Sequence, residues 1–386
     1  MISRSELQKI GQLRDPNGQL LSLYLPLFQE SSNVDYNIEL KNLLRSANQR
    51  YVDSTGTSLP EGFDALFEDL RVYVRDNAGK YGRGIALFAS PEYGILRTLA
   101  MPGSVESSAI VAENPNLAPL IRLLEDNQPY CLCVVSRDQA RLFLGHVDEI
   151  EEIEQVRDEE VPGQHDQGGW SQARFERHIE DHVHRHFKNV ANRLFELLDE
   201  QRFEILILGG PEEVVAGFED GLHPYVRERL IGSVRLLLEA NVNQAREQAL
   251  SVIAQNVRSR KQEAIQRVVS EAGARDLGVE GLTETMAALQ RGQILNLVVD
   301  SQVHSSGINC PDCGGLSLTP DQDNTCPYCQ SANVQDIENI VPRLITTAFE
   351  QGASVYVIDD EEQKADVSRI GGIGALLRFR VDEQTA

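Results

Sequence analysis

The chain has 386 residues, enough for two or three domains, and its 41% hydrophobic and 25% charged residues are those of a globular protein. A formal charge of -23 argues against general affinity for nucleic acid, which owes much of its strength to phosphate neutralisation by Lys and Arg. The opening "MISRSELQKIGQL" lacks the apolar segment of a signal peptide, and no run of about 18 apolar residues follows, so a cytoplasmic protein without membrane association is expected.

In chain order, "LLSLYLPLF" (20–28) reads as a strand, and 37–52 and 62–76 have helical periodicity. Segments 82–90 and 93–101 read as a hairpin through the "PE" between them. A second region opens on "CLCVVSRDQARLFLGHVDEIEEIEQV", two strands around an "RD" turn running into an acidic stretch. Cys131 and Cys133, two apart on the first of these strands, share a face and read as buried, inert thiols. "PGQHDQGG" (162–169) has loop chemistry. A long helix follows, with Ser171 as N-cap and Phe175, Ile179, Val183, Phe187, Val190 and Leu194 at helical spacing. "RFEILILGG" (202–210) is a buried strand, "PEEVVAGFED" a helix with Pro at its start, and 242–272 a long helix. The third region has a helix ending in Gly, the strand "ILNLVVD" (294–300), a cysteine segment, the helix "IENIVPRLITTAFEQG", and the strands "SVYVIDD" and "ALLRFRV". The expected fold class is α/β: three mixed α/β domains, 1–125, 126–273 and 274–386, the last carrying a four-cysteine zinc ribbon at 308–331.

The cysteine segment "CPDCGGLSLTPDQDNTCPYC" spaces Cys310, Cys313, Cys326 and Cys329 as two C-x2-C knuckles twelve residues apart. Four thiolates so placed suit tetrahedral Zn2+, and four protein ligands leave no open position, so the zinc is expected to be structural. A disulfide pair or a lost metal is the competing reading. The ion would clamp an extended finger without an apolar core of its own.

Two segments are locally basic. Residues 170–194 hold five Lys/Arg against three Asp/Glu and four histidines, and residues 246–267 hold five against two. A solvated helix face is the plain reading of each. His178, His182 and His186 recur every four residues and so share a helix face. They read as histidines at a core boundary or facing RNA phosphate, since no H-E-x-x-H pattern or further ligand accompanies them. The Gly-Gly pairs at 209–210 and 371–372 fit no phosphate-binding motif and read as strand-end turns.

The order of these features resembles the archaeo-eukaryotic class-I peptide chain release factors and their relative Pelota, in what looks like a bacterial branch of that superfamily. The likeness covers about residues 127–386: a Gly-Gly loop before a basic helix, a buried strand ending in Gly-Gly, a long Arg/Lys-rich helix, a four-cysteine ribbon and a closing "GGIGALLRF". The family loop is G-G-Q-S. Gly168 and Gly169 match its glycines, Ser171 its serine, and Arg174 and Phe175 the "RF" that follows. Trp170 stands in place of the Gln, but "GWSQ" places Gln172 as in the G-x-x-Q motif of relatives that cut peptidyl-tRNA on stalled large subunits. The resemblance therefore implies a translation or ribosome-rescue factor that hydrolyses peptidyl-tRNA, with Gly168, Gly169 and Gln172 as the catalytic loop. It further implies RNA contacts from Trp170, Arg174, Arg177, Arg185 and Lys188, and the large ribosomal subunit and tRNA as partners. A non-catalytic ribosome- or RNA-binding adaptor of the Pelota kind is the alternative. The first domain has no N-I-K-S-like loop ("NIEL" at 37–40 falls in a helix), which argues against stop-codon reading. Whether a GTPase partner delivers the protein is not written in these residues.

Overall fold

The computed structural model describes residues 4–15, 17–27, 36–101, 106–146, 149–157, 172–274, 276–321 and 323–380, with the side chains of 54–55 and 172–179 excepted. It divides into two compact units. Unit 1 joins residues 1–126 to 260–386, and unit 2 is residues 127–259.

Unit 1 opens with α1 (Arg4–Gly11), β1 (Leu20–Pro26), α2 (Tyr36–Thr55), α3 (Phe63–Asn77), β2 (Gly84–Ser90), β3 (Gly94–Met101), β4 (Ser108–Ala112) and α4 (Ala118–Asp126). The strands form an antiparallel sheet in the order β3-β2-β1-β4. β1 and β2 are buried along their whole length because both faces are covered. Leu21, Leu23, Leu25, Ile85 and Leu87 pack on Leu40, Leu44, Leu66 and Leu70 of α2 and α3. Tyr24, Ala86 and Phe88 point the other way, into a cluster shared with residues of the C-terminal segment. Continuous apolar strands are what such double coverage requires.

Unit 2 contains β5 (Tyr130–Val135), β6 (Gln139–His146), β7 (Glu149–Arg157), α5 (Gln172–Asp199), β8 (Ile205–Gly209), α6 (Glu212–Glu219), α7 (Pro224–Arg227) and β9 (Leu230–Val234), with α8 (Val242–Ala274) leaving it at 259. Its sheet runs β7-β6-β5-β8-β9. β5, β8 and β9 are parallel, and β6 and β7 are antiparallel additions. Alternate residues of β5 serve opposite faces. Cys131, Cys133 and Val135 pack with Val190 and Leu194 of α5. Tyr130, Leu132 and Val134 pack with Ala245, Ala249 and Ile253 of α8. The acidic stretch after the second strand is a third strand, β7. It survives its charge because it is an edge strand and two of its four carboxylates are paired, Glu152 with Arg141 at 2.6 Å and Glu154 with Arg193 at 2.7 Å.

The C-terminal part of unit 1 contains β10 (Gly278–Glu280), α9 (Gly281–Gln290), β11 (Ile294–Asp300), β12 (Gly307–Asn309), β13 (Leu316–Ser317), β14 (Gln335–Ile337), α10 (Val341–Glu350), β15 (Ser354–Ile358), α11 (Glu361–Ser368) and β16 (Ile373–Leu377). The main sheet is β10-β16-β11-β15, and β13-β12-β14 form the small sheet of the ribbon. Ala264, Ile265 and Val268 of α8 cover one face of the main sheet against Val298, Ile358 and Leu376. On the other face α9 and α10 join the cluster that includes Leu7, Phe88, Leu117 and Ile121, so the first and last thirds of the chain share one core. α1 is held there by Arg4, which donates to the Ala353 carbonyl at 2.7 Å and lies over the Phe349 ring. The cysteine finger is less independent than its sequence indicates. Leu316 sits in the same shared core, and Arg14 donates to the Pro311 carbonyl while ion-paired with Glu113.

The Gly-Gly pairs do end turns. Gly210 takes φ 143° against the Val135 carbonyl, and Gly371 and Gly372 take φ 74° and 80° just before β16.

Candidate functional site

The loop singled out from the sequence, including Gly168, Gly169, Trp170 and Ser171, lies outside the described residues. Gln172 is the first residue of α5. The side chains of Gln172, Arg174, Arg177 and His178 also lie outside the description, though their backbone is helical.

α5 is two-sided. At 100° per residue, positions 174, 177, 181, 185, 188 and 192 fall on one stripe. Their residues are Arg, Arg, Asp, Arg, Lys and Asn, four cations and one acid. Asp181, Arg185, Lys188 and Asn192 are exposed, as a stripe facing away from the core must be. The opposite face carries Val190, Leu194 and Leu197, all buried. Over its full length α5 carries equal numbers of cations and anions, so the stripe's excess of cations is a matter of arrangement rather than net charge. Arg193 lies outside the stripe and is committed to Glu154 and Glu196, whose hydrogen bonds hold its pKa up.

His182 and His186 are buried, only 4% and 1% exposed, on the core side of α5. Such burial suits the core-boundary reading of these two histidines. Among the described residues no group of three or more potential metal ligands forms on α5. Cys131 and Cys133 are fully buried free thiols. Burial pushes Cys131 up to about 12 and Cys133 well above its ordinary range, so neither is a nucleophile.

The four ribbon cysteines do come together. Their sulfurs all lie within 4.8 Å of one another, with Cys310–Cys329 and Cys313–Cys326 at 3.6 Å. Thiolates about 2.3 Å from a common tetrahedral centre stand about 3.8 Å apart. The spacing fits a metal ion and is too long for a disulfide. Each knuckle is closed in the same way. The Cys310 carbonyl accepts from Gly314 N–H at 2.8 Å, and the Cys326 carbonyl accepts from Gln330 N–H at 2.9 Å. Burial raises the Cys326 thiol, but Tyr328 and Cys329 amides and neighbouring thiols outweigh it and bring it down to about 7. Burial likewise pushes Cys313 up to about 12. Asp312 of the first knuckle accepts from Asn333 at 2.9 Å and from Ser331, both beyond the second knuckle. These residues could hold a metal ion with every position filled by protein.

The sequence pattern gave no sign of a groove of about 360 Å³ beside α5, lined by Arg137, Glu180, Val183, His184, Phe187, Glu213, Val214 and Gly217. These residues come from the β5–β6 turn, α5 and α6. No local motif unites residues so far apart in sequence.

Residues 115–274, which include all of unit 2, match a family model described as Bacterial archaeo-eukaryotic release factor family 10. Beyond that segment the likeness continues along the chain. Peptide chain release factor subunit 1 of Archaeoglobus fulgidus is 25% identical over 398 residues, covering 98% of this chain and 97% of the relative. Along its length the chain is similar to archaeo-eukaryotic release factors. The protein of the same name from Thermococcus kodakarensis is 26% identical over 412 residues, covering 97% of each. A crystal structure of Archaeoglobus fulgidus Pelota covers 78% of this chain and 80% of its own, at 18% identity and TM-score 0.35. That superposition is loose, and the likeness rests on the sequence matches. No described helix is long and apolar enough to cross a membrane.

Proposed function

We propose that this chain is a cytoplasmic translation factor of the ribosome-rescue type. It hydrolyses the ester bond of peptidyl-tRNA on the large subunit through residues 168–172. Gln172 opens α5, and its amide, both donor and acceptor, would orient a water at the ester carbonyl. Gly168 and Gly169 leave the backbone free to enter a narrow site. Trp170 offers a face for an unpaired base.

The observation that carries the reading is the stripe of α5. Arg185 and Lys188 are exposed, and helical spacing puts Arg174 and Arg177 in line with them behind Gln172. A helix so charged can track tRNA or ribosomal phosphate on a molecule whose net charge would otherwise repel it. The full-length matches to proteins named peptide chain release factor subunit 1 support a place in translation. Cys310, Cys313, Cys326 and Cys329 hold a structural Zn2+, which supplies cross-linking of the two knuckles and no chemistry. The 1–125, 126–273 and 274–386 segments are the inherited modules of this reading.

Trp170, standing where the family Gln would be, favours a second reading, a ribosome-binding adaptor without hydrolysis. Both readings need the stripe. Co-sedimentation with large subunits at fixed salt tests it: Arg185→Glu with Lys188→Glu lowers binding by about tenfold or more. Unchanged binding would remove both readings.

A further inference from the structure

The groove beside α5 has three properties that the loop and the stripe do not explain. It lies where β5 ends in the turn carrying Arg137 and where β8 passes through Gly210 into α6. β5 and β8 are parallel neighbours with an antiparallel strand on the far side of β5. The carboxyl ends of parallel strands at such a change of direction are where open α/β sheets take ligands. α5 leads directly into the amino end of β8, so the first turns of α5, beginning at Gln172, lie at this same carboxyl end.

The walls are unused. Among the described residues, the side chains of Arg137, Glu180, His184 and Glu213 hold no hydrogen bond or ion pair. Between them is an apolar floor of Val183, Phe187 and Val214.

The third property is Gly217. It lies inside α6, its φ is not left-handed, and a Cβ there would meet only Phe187, at 3.8 Å. Nothing in the backbone requires glycine, and glycine inside a helix is destabilising. What its missing side chain does is leave the space over Phe187 open.

We infer that this groove receives one unpaired nucleobase of an RNA whose phosphates run along the α5 stripe. The inference rests on the proposed RNA-facing role of that stripe. His184 stands one helical turn before Lys188, so a strand following the stripe passes the groove's mouth. Phe187 offers an aromatic surface for stacking, as proteins use for splayed bases. Glu180 and Glu213 accept from amino and imino edges, and Arg137 and His184 donate to ring nitrogens or carbonyls. The volume falls in the range of about 300–1000 Å³ typical of small-ligand clefts. A phosphate is a poor occupant between two carboxylates, and a base that presents donors is a good one.

Fluorescence anisotropy tests this with the full-length protein and a labelled, unstructured, mixed-sequence twelve-nucleotide RNA, titrated over a series of salt concentrations. Gly217→Leu fills the space over Phe187 and leaves the stripe intact. It weakens binding about tenfold at every salt concentration, without changing the salt slope. Gly217→Ala binds like wild type. Arg185→Ala with Lys188→Ala lowers the slope by about 1.4, at about 0.7 per phosphate contact on single strands. Wild-type binding with a normal slope, but equal affinity for Gly217→Leu, would overturn the groove and leave the stripe. No salt-dependent binding by wild type would remove the stripe reading and the groove with it. Deca-arginine bound in a Gly217-dependent way, with RNA indifferent to Gly217, would give the groove to a basic peptide and overturn the inference. Thermal melting shows that each variant is folded.

Discussion

Gln330 and Gly314 occupy equivalent places, each one residue past the second cysteine of its knuckle, at φ 61° and φ 71°. Glycine adopts that conformation freely, while a residue with a Cβ is strained by about 1 kcal/mol or more. The second knuckle therefore carries strain that the first does not. In protein loaded with Zn2+, Gln330→Gly should lose the ion to a chelator about fivefold more slowly than wild type, and equal loss rates would show that the strain is absent. Cys131 and Cys133 give a different kind of residue-scale prediction. Their folded pKa values are raised by burial, Cys131 to about 12. The unfolded chain loses these protons first, so their contribution is complete below the unfolded value of about 8.5 and is lost as pH rises toward the folded values. Stability should fall by about 1.4 kcal/mol per pH unit per thiol above pH 9. Denaturant titrations at pH 8 and pH 10 should show a shallower loss in the Cys131→Ala, Cys133→Ala double variant. Parallel losses would contradict the assignment.

At the scale of elements, legibility follows from how each element satisfies its residues. The buried strands β1, β2, β5, β8, β11 and β15 and the long helices α5 and α8 announce themselves, because apolar runs and helical spacing are written locally. α1, α4 and α11 are eight or nine residues long and leave too few turns for a period to show. β7 reads only as an acidic stretch, because its strand character depends on Arg141 and Arg193, which come from other elements. β16 begins at Ile373, earlier than the apolar run alone places it, because Gly371 and Gly372 turn the chain straight into it. The cysteine cluster is legible from spacing alone, since two short knuckles fix the ligand set. The groove is not legible, because it exists only when the β5–β6 turn, α5 and α6 meet. Even Gly217 reads in sequence as a weak spot in a helix, and only the open space over Phe187 gives it a purpose. The loop at 168–172 is legible only through its resemblance to the family, since two glycines, a Trp and a Gln carry no geometry of their own.

For the whole molecule, the net charge of -23 and the proposed RNA partner are reconciled by screening. At physiological ionic strength charges beyond about 8 Å are largely screened, so contacts along one helix act locally while the distant acids fade. The shared core of the first and last thirds of the chain gives the C-terminal ribbon a fixed seat in unit 1, whereas unit 2 carries the loop, the stripe and the groove. On the proposed reading, unit 2 is the part that meets RNA. The central claim is that Gln172 makes the chain a peptidyl-tRNA hydrolase. It is tested most directly by release of a labelled nascent chain from large subunits carrying peptidyl-tRNA, with co-sedimentation measured in parallel. The account predicts that wild type releases the chain, while Gln172→Ala binds equally and releases it at least about a hundredfold more slowly, the scale of a lost positioning group. Binding by wild type without release would contradict it and leave the adaptor.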